Sequence, residues 1–264
     1  MSYTRINFER VNHVAWITLN RPEVRNALDW ESYDELDNAF GACQTDPEIR
    51  CVLLTGADPS FCSGDDVKAI MAKLAETPDD QREHVVRHRT TPLSETLLDF
   101  DKPVVCAVNG AAVGWGMELT LYCDIRIASD RAKFGELFIQ RGLIPDVAGL
   151  WRLPQLVGPA TAAEILFTGD IIDSAKAERI GLVSRVVPHD RLLDAAGELA
   201  AKIATNPPLA LRYIKEGLRR ARFSTPQEIG TFCGLAWERL RDTEDHQERY
   251  KSFLEKRAPV FKGK

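Results

Sequence analysis

Apolar residues occur in short runs over most of the chain and change to helical spacing in its last third. Residues 11–19 are rich in β-branched side chains and end at Asn20-Arg21-Pro22, which predicts a strand that leads into a turn. Residues 29–43 carry apolar side chains three and four positions apart, which predicts a helix that Asp29 caps. The apolar run at residues 51–55 predicts a buried strand. Strand, helix and strand in this order favour an α/β fold with crossover helices.

Strands and helices continue to alternate up to about Pro188, and only helices are predicted after it. The further predicted strands are residues 103–108, 125–128 and 183–187, and the helices between them are residues 117–122, 160–167 and 175–180. The later helices are residues 192–204, 209–222, 226–240 and 243–256. We therefore expect a core over residues 1–190 and a helical region over residues 191–264. The polar residues 76–91 predict a surface segment.

The composition is that of a soluble globular protein. Hydrophobic residues make up 44% of the 264 residues and charged residues 28%. The net charge of −5 argues against a general nucleic-acid binder, which usually carries a basic face. No apolar run approaches the roughly 20 residues that span a bilayer, and the first residues lack the apolar core of a signal peptide. We expect a cytoplasmic protein with no membrane partner.

Two glycine-containing turns follow predicted strands and precede predicted helices. The first covers residues 61–68 and the second residues 109–119. Backbone N–H groups at the start of a helix are unpaired and can hold negative charge. Two such groups that converge on one oxygen would form an oxyanion hole. Each turn taken alone is also typical of a tight connection between a strand and a helix.

Two carboxylates lie in apolar surroundings and are candidates for proton transfer. Glu118 follows the second glycine turn within the apolar stretch 117–122. Partial desolvation would raise its pKa towards the range that is useful in general acid–base catalysis. A carboxylate in the first turn of a helix is also favoured by the helix dipole, so a structural role is equally compatible. Asp146 lies in an apolar loop, where an aspartate more often caps a turn than catalyses a reaction.

Five segments, in one consistent order, resemble the motifs of a single known family. Residues 20–28 resemble N-R-P-x-x-x-N-A-L, and residues 61–67 are similar to F-x-x-G-x-D-[LIV]. Residues 102–124 resemble a stretch that runs from K-P through a glycine turn to E-L-x-x-x-C-D. Residues 169–187 and 255–261 resemble two later motifs, of which the second is E-K-R-x-P-x-F. The likeness covers nearly the whole chain, and the family is that of the enoyl-CoA hydratases and isomerases, also called crotonases.

This resemblance implies a fold, a substrate and an assembly. The implied fold is an α/β spiral of ββα repeats with a C-terminal α-helical trimerisation region. The implied substrate is an acyl-CoA thioester. No metal and no redox cofactor is implied, and CoA enters only as part of the substrate. The implied assembly is a homo-oligomer, either a trimer or a hexamer.

The resemblance also implies roles for particular residues. The oxyanion-hole N–H groups fall on Asp65 and Trp115, and Glu118 matches one of the two acid/base carboxylates. Positions expected to contact CoA or the acyl group are Arg25, Ser63, Asp65, Asp66, Val67, Lys68, Trp115 and Phe138.

Two positions depart from the family pattern. Phe138 occupies the place of the second hydratase glutamate, and Glu136 lies two residues earlier, where its side chain need not point the same way. Trp115 replaces a glycine in the oxyanion turn, and its bulk would reshape the acyl pocket. Members with an aromatic residue at the Phe138 position and I-P-D in the next loop resemble ring-modifying isomerases. In those members the loop aspartate, here Asp146, handles the proton.

The expected function is therefore hydration of an enoyl-CoA or migration of its double bond, with a thioester enolate stabilised in an oxyanion hole. Two alternatives remain open. The chain could be an inactive member that binds acyl-CoA or serves as a scaffold, which the loss of the glutamate at Phe138 would motivate. It could also be a metal enzyme that uses His84 and His88, although two histidines four residues apart in a charged stretch usually mark a solvated face.

Overall fold

The computed structural model describes residues 3–76 and 91–264, and two sheets form the centre of this part of the chain. The larger sheet has six strands in the order β1-β2-β3-β4-β6-β9, and the smaller has the order β5-β7-β8. The nine strands are β1 (Ile6–Val11), β2 (Val14–Leu19), β3 (Cys51–Gly56), β4 (Val104–Val108), β5 (Ala111–Val113), β6 (Ile125–Ser129), β7 (Lys133–Gly135), β8 (Ile172–Asp173) and β9 (Arg185–Val187).

Twelve α-helices connect and follow these strands within the described residues. They are α1 (Trp30–Thr45), α2 (Val67–Glu76), α3 (Pro92–Asp99), α4 (Trp115–Tyr122), α5 (Val147–Trp151), α6 (Leu153–Val157), α7 (Pro159–Thr168), α8 (Ser174–Arg179), α9 (Leu192–Ala204), α10 (Pro208–Arg220), α11 (Pro226–Arg241) and α12 (Glu244–Leu254). Short 3₁₀ turns occur at Pro22–Val24, Leu137–Arg141 and His189–Arg191.

The larger sheet is parallel from β2 to β9, and its central strands are buried on both faces. Only its first pair, β1 and β2, is antiparallel. Every residue of β3 and β4 is buried, as expected for parallel strands that have helices on both sides. Helix α9 covers one face with a stripe of small and apolar side chains four residues apart, namely Leu192, Ala196, Ala200 and Ala204. The opposite face packs into the main hydrophobic core.

The predicted α/β class, with helices alone after about residue 190, is confirmed, while one predicted strand was wrong. Residues 11–19 were expected to form a single strand, but they contain the hairpin between β1 and β2, and Asn12 in this turn has a φ of 54°. The run is apolar and is interrupted by one polar dipeptide. It therefore lacks the alternation of apolar and polar residues that would show where one strand ends and the next begins. Residues 76–91 lie outside the described residues, except for Glu76 and Thr91.

The smaller sheet places the two glycine turns side by side. An isolated bridge pairs Cys62 with Ala112 of β5, and a second bridge pairs Leu28 with Asp65. The N–H groups of Phe61 and Cys62 both donate to the carbonyl of Ala111, at 3.0 and 2.9 Å. These contacts fix the first turn against the strand that leads into α4.

Lys215 joins the C-terminal helices to the α/β core. Its side chain projects from α10 and is only 5% exposed. The ammonium donates to the carbonyl of Lys102 at 2.7 Å, and it lies 2.8 Å from the carboxylate of Asp124, directly after α4. It also lies over the ring of Phe100, 5.3 Å from the centroid. A buried ammonium needs such partners because it has lost its water.

We predict that Lys215→Met destabilises the fold by about 2 kcal/mol, since it removes a buried hydrogen bond and one half of a buried ion pair. The loss should stay moderate because Asp124 remains 31% exposed and keeps contact with water. Denaturant unfolding of the purified variant measures the effect. The control is Lys202→Met on the exposed side of α9, which we expect to change stability by less than about 0.5 kcal/mol. Equal stability of the two variants would contradict a structural role for Lys215.

Candidate active site

The first glycine turn leaves one backbone amide without an acceptor. Gly64 has a φ of 86°, which side chains rarely allow, and its carbonyl accepts from the N–H of Leu28. The N–H of Asp66 donates to the carbonyl of Leu28 at 2.8 Å. The intervening N–H, that of Asp65, has no acceptor among the described residues.

The second glycine turn presents a free amide beside the first. Gly114 has a φ of 54° and a ψ of −128°, a conformation that glycine allows. The following residue, Trp115, begins α4, so its N–H has no partner within the helix and finds none elsewhere among the described residues. A Cβ atom built on Gly64 would lie 3.2 Å from the nitrogen of Trp115, which places this nitrogen next to the first turn.

The close approach of the two turns depends on Gly116. A Cβ atom at this position would lie 2.2 Å from the carbonyl oxygen of Cys62, a backbone atom that cannot rotate away. The N–H of Val113 donates to this same carbonyl at 3.1 Å. The helix start and the first turn are therefore fixed in contact, with the amides of Asp65 and Trp115 in neighbouring positions. An oxyanion hole requires two such amides close together.

Glu118 lies in the first turn of α4 and has no exposed surface. Both of its carboxylate oxygens accept from the N–H of Gly149, each at 3.0 Å. Burial, together with the negative charge of Asp146, raises the pKa of Glu118 to about 8, while the N–H of Gly149 opposes the shift. The expectation that this carboxylate is desolvated is confirmed, and its burial is complete rather than partial.

Asp146 lies close to Glu118 and is fixed by three donors. One carboxylate oxygen accepts from the indole Nε1 of Trp115 and from the hydroxyl of Ser94, each at 3.2 Å. The other oxygen accepts from the N–H of Val147 at 2.7 Å, at the start of α5. The structure thus brings together the two carboxylates that the sequence offered as candidates. The bulky side chain of Trp115 contributes directly, since it orients Asp146.

Glu136, which the sequence offered only as a glutamate two residues before Phe138, lies at the site in the structure. It follows β7, is 1% exposed and directs Oε1 towards Gly149. A Cβ atom built on Gly149 would lie 2.5 Å from Oε1 of Glu118 and 3.4 Å from Oε1 of Glu136. Periodicity could not reveal this orientation because β7 ends at Gly135 and a 3₁₀ turn begins at Leu137. The available signal was a glutamate in an otherwise apolar segment.

Aromatic side chains surround the candidate oxyanion hole. The ring of Trp115 meets Tyr33 edge to face with centroids 5.0 Å apart, and it stacks on Tyr122 at 6.2 Å. The hydroxyl of Tyr33 donates to the side chain of Asp65 at 2.5 Å, and burial raises the pKa of that carboxyl. Phe138 is partly buried and packs against the main core, so it adds apolar surface where the family pattern has a carboxylate.

Two of the loops expected to contact CoA are hydrogen-bonded to each other. Arg25, with a φ of 56°, accepts at its carbonyl from the N–H of Ser63 at 3.0 Å. Asp66 caps α2 through the N–H of Ala69 and pairs with Arg21 at 3.1 Å, so its carboxylate already has structural partners. The remaining two positions, Val67 and Lys68, are exposed at the start of α2.

The described residues contain no group of three side chains that could hold a metal ion, and none of their helices is long and apolar enough to cross a membrane. His84 and His88, the alternative metal ligands, lie outside the described residues.

The chain belongs to the enoyl-CoA hydratase/isomerase family, whose model matches residues 9–264. It is accordingly an acyl-CoA enzyme of the hydratase/isomerase type, with the crotonase fold that the motifs implied. It is 39% identical to the (E)-benzylidenesuccinyl-CoA hydratase of Thauera aromatica, over 98% of this chain and 99% of that protein. It is also 39% identical to the 2,3-dehydroadipyl-CoA hydratase of Escherichia coli K12, over 97% of both.

Solved structures show the same similarity. The enoyl-CoA hydratase of Bacillus anthracis has a TM-score of 0.90 to this chain at 34% identity, over 99% of this chain and 100% of that one. A putative enoyl-CoA hydratase/isomerase from Mycobacterium abscessus has a TM-score of 0.90 at 37% identity, over 98% of this chain and 100% of that one.

We predict that Gly116→Ala destabilises the protein by about 3 kcal/mol, because its methyl group overlaps the backbone of Cys62. Gly41→Ala in α1 is the matched control, since a Cβ atom there meets nothing within 4 Å. That variant should gain about 0.5 to 1 kcal/mol, as alanine is the better helix former. Denaturant unfolding measures both changes, and an unaffected Gly116→Ala would show that the turns can separate without cost.

We predict that the stability of the protein falls as the pH rises from about 4.5 to about 8. The folded protein keeps a proton on Glu118 up to about pH 8, whereas the unfolded chain releases it near 4.5, so the folded state binds more protons in this window. Glu118→Gln removes the part of this dependence that Glu118 contributes. Its stability relative to the wild type should therefore increase by an amount on the order of 4 kcal/mol between about pH 5 and about pH 9.

Urea unfolding at the two pH values measures this difference. The control is Glu198→Gln on α9, an exposed carboxylate whose replacement should give the same small change at both pH values. A pH-independent difference between Glu118→Gln and the wild type would contradict a buried, protonated Glu118.

Proposed function

We propose that this enzyme adds water across the double bond of a 2-enoyl-CoA and that the amides of Asp65 and Trp115 bind the thioester oxygen. The observation that carries the proposal is that Glu118 is fully buried and lies beside Asp146. Glu118 is in α4, the helix that also supplies the free amide of Trp115. The hydratase names of the relatives in Thauera aromatica and Escherichia coli support hydration as the reaction.

The proposed oxyanion hole lowers the barrier by stabilising negative charge as it forms. When an oxygen nucleophile adds to the β-carbon, the electron pair of the double bond moves towards the thioester and its oxygen becomes enolate-like. Two N–H donors held in advance stabilise this charge without having to reorganise. Loss of one such donor typically costs about 3 to 4 kcal/mol of barrier.

Glu118 and Asp146 account for the proton transfers. Asp146 takes a proton from the attacking water, and the water oxygen bonds to the β-carbon. Glu118, which its surroundings keep protonated at neutral pH, gives its proton to the α-carbon and completes the 3-hydroxyacyl-CoA. The proton on Asp146 then passes through solvent to restore Glu118. Two carboxyl groups in unlike environments can thus serve as acid and base in one step.

Isomerisation is the second candidate function, and Phe138 is the observation that favours it. An apolar ring in place of the second carboxylate leaves fewer groups to hold a water molecule. Without water, Glu118 and Asp146 would move one proton between the α- and γ-carbons of a 3-enoyl-CoA. The inactive scaffold is disfavoured because Glu118 is present and desolvated.

We further propose a cytoplasmic homo-oligomer, a trimer or a hexamer, in which the helical region 191–264 supplies the contacts. Large apolar side chains on this region are more than 60% exposed in the single chain, which supports burial in an assembly; they include Leu218, Phe223, Leu235, Trp237 and Phe253. The CoA moiety would lie along Arg25, Ser63 and residues 65–68. No metal or redox cofactor is required for the proposed chemistry.

The decisive assay offers the enzyme a 2-enoyl-CoA and a 3-enoyl-CoA separately. We expect the 2-enoyl-CoA to gain the mass of one water molecule. Conversion of the 3-enoyl-CoA to its 2-enoyl isomer without a gain in mass would establish isomerisation instead, and failure to convert either substrate would overturn both functions.

Two variants test the proposed roles. Glu118→Gln and Asp146→Asn should each lower kcat by about 100-fold to 10,000-fold, the usual contribution of a positioned acid or base. Glu198→Gln is the matched control and should keep wild-type kcat. If Glu118→Gln retained wild-type kcat, the assigned role of Glu118 would be wrong.

A further inference from the structure

Glu136 is a third buried carboxyl group at the site, and no step of the proposed mechanism uses it. Its side chain is 1% exposed, and neither carboxyl oxygen has a hydrogen-bond partner among the described residues. Glu118, equally buried, has the N–H of Gly149 on both oxygens. The two glutamates therefore differ in hydrogen bonding, and a buried carboxyl group with a donor ionises more readily than one without.

The charged groups that act on Glu136 are all acidic. They are Glu118 on α4 and Asp146 in the loop before α5. Among the described residues no lysine or arginine forms an ion pair with Glu136, and no backbone amide donates to it. An ionised carboxylate in this position would have neither a donor nor a counter-ion among the described residues, and it would face two like charges. Burial raises the pKa of Glu136 well above its usual value, and its acidic neighbours add to the shift.

We infer that Glu136 remains protonated in the working enzyme and acts as a neutral hydrogen-bond donor that positions Glu118, rather than as a second catalytic carboxylate. The first of two interacting acids to ionise is the one with the better donors, and that is Glu118. A Cβ atom built on Gly149 would lie 2.5 Å from Oε1 of Glu118 and 3.4 Å from Oε1 of Glu136, so the two carboxyl groups are neighbours beside this glycine and a proton on Glu136 could be shared with Glu118. A donor there stabilises the ionised form of Glu118 that each catalytic cycle produces.

Glu136 is in this way a positioning residue, distinct from the glutamate that transfers protons. The kinetic test of its role rests on the proposed function, whereas the spectroscopic test does not. If Glu136 were the missing second carboxylate instead, it would have to ionise and would behave as Glu118 does on replacement.

The kinetic test compares Glu136→Gln with Glu136→Met across the pH range. Glutamine keeps a neutral donor at this position, and methionine keeps the length without the donor. We expect Glu136→Met to lower kcat by about tenfold, the value of one hydrogen bond, and to move the alkaline limb of the kcat profile to higher pH. The limb moves in this direction because Glu118 then ionises less readily. Glu136→Gln should restore most of kcat and return the limb to the wild-type position.

Three kinetic results would overturn the inference. A limb that moves to lower pH in Glu136→Gln would show that Glu136 is charged in the wild type. A loss in Glu136→Gln as large as that in Glu118→Gln would show that it transfers protons. An unmoved limb in Glu136→Met would remove the donor role.

Infrared spectroscopy provides the second measurement, and it requires neither activity nor a Glu136 variant. The carbonyl stretch of a protonated carboxylic acid is distinct from that of a carboxylate. We expect Glu118→Gln at about pH 9 to retain such a band, shifted by deuterium exchange, because Glu136 still holds its proton. Absence of the band would overturn the inference, even if the enzyme proved to be an active hydratase. Conversely, a band in a protein without hydratase activity would reject the proposed function alone.

Discussion

The backbone contact between two turns is the constraint on which the rest of the site depends. Residues 61–62 share hydrogen bonds with Ala111 and Val113, and this pairing exists because Gly116 leaves room for the carbonyl of Cys62. The contact sets where α4 begins, and the start of α4 sets the positions of the amide of Trp115 and the carboxyl of Glu118. One packing contact between main-chain atoms therefore fixes the strand-to-helix junction, the two free amides proposed to bind the thioester oxygen, and the buried acid.

Burial decides the electrostatics of this site, because Glu118 and Glu136 have almost no exposed surface. Carboxyl groups gathered in a solvated cleft would ionise together and repel one another. Here the carboxyl groups differ in the number of hydrogen-bond donors that contact each of them. Asp146 has three donors and Glu118 has one amide on both oxygens, while Glu136 has none among the described residues. Burial raises the pKa of both glutamates, and the amide of Gly149 opposes this shift at Glu118 alone.

Much of the fold was predictable from the sequence, because long elements have a clear hydrophobic period. The strands over residues 51–55 and 103–108 and the helix over residues 192–204 are examples. The hairpin at residues 6–19 was not predictable, because its turn lies within one apolar run. The strands of the smaller sheet, of two or three residues each, were not predictable because they contain too few positions for a period. Of the site, Glu118 and Asp146 were found from their apolar surroundings, and the structure places them together. Glu136 was missed because its direction depends on the irregular turn after β7.

Trp115 shows the freedom that a side chain gains when its residue binds a ligand through main-chain atoms. The amide proposed to hold the thioester belongs to every residue type except proline, so the indole at this position is free of that task and instead orients Asp146 and stacks on Tyr122. The side chain at the residue whose amide is proposed to polarise the carbonyl can therefore change without removing that amide. In enzymes with this arrangement, single side-chain substitutions can change the specificity for the acyl group while the reaction stays the same.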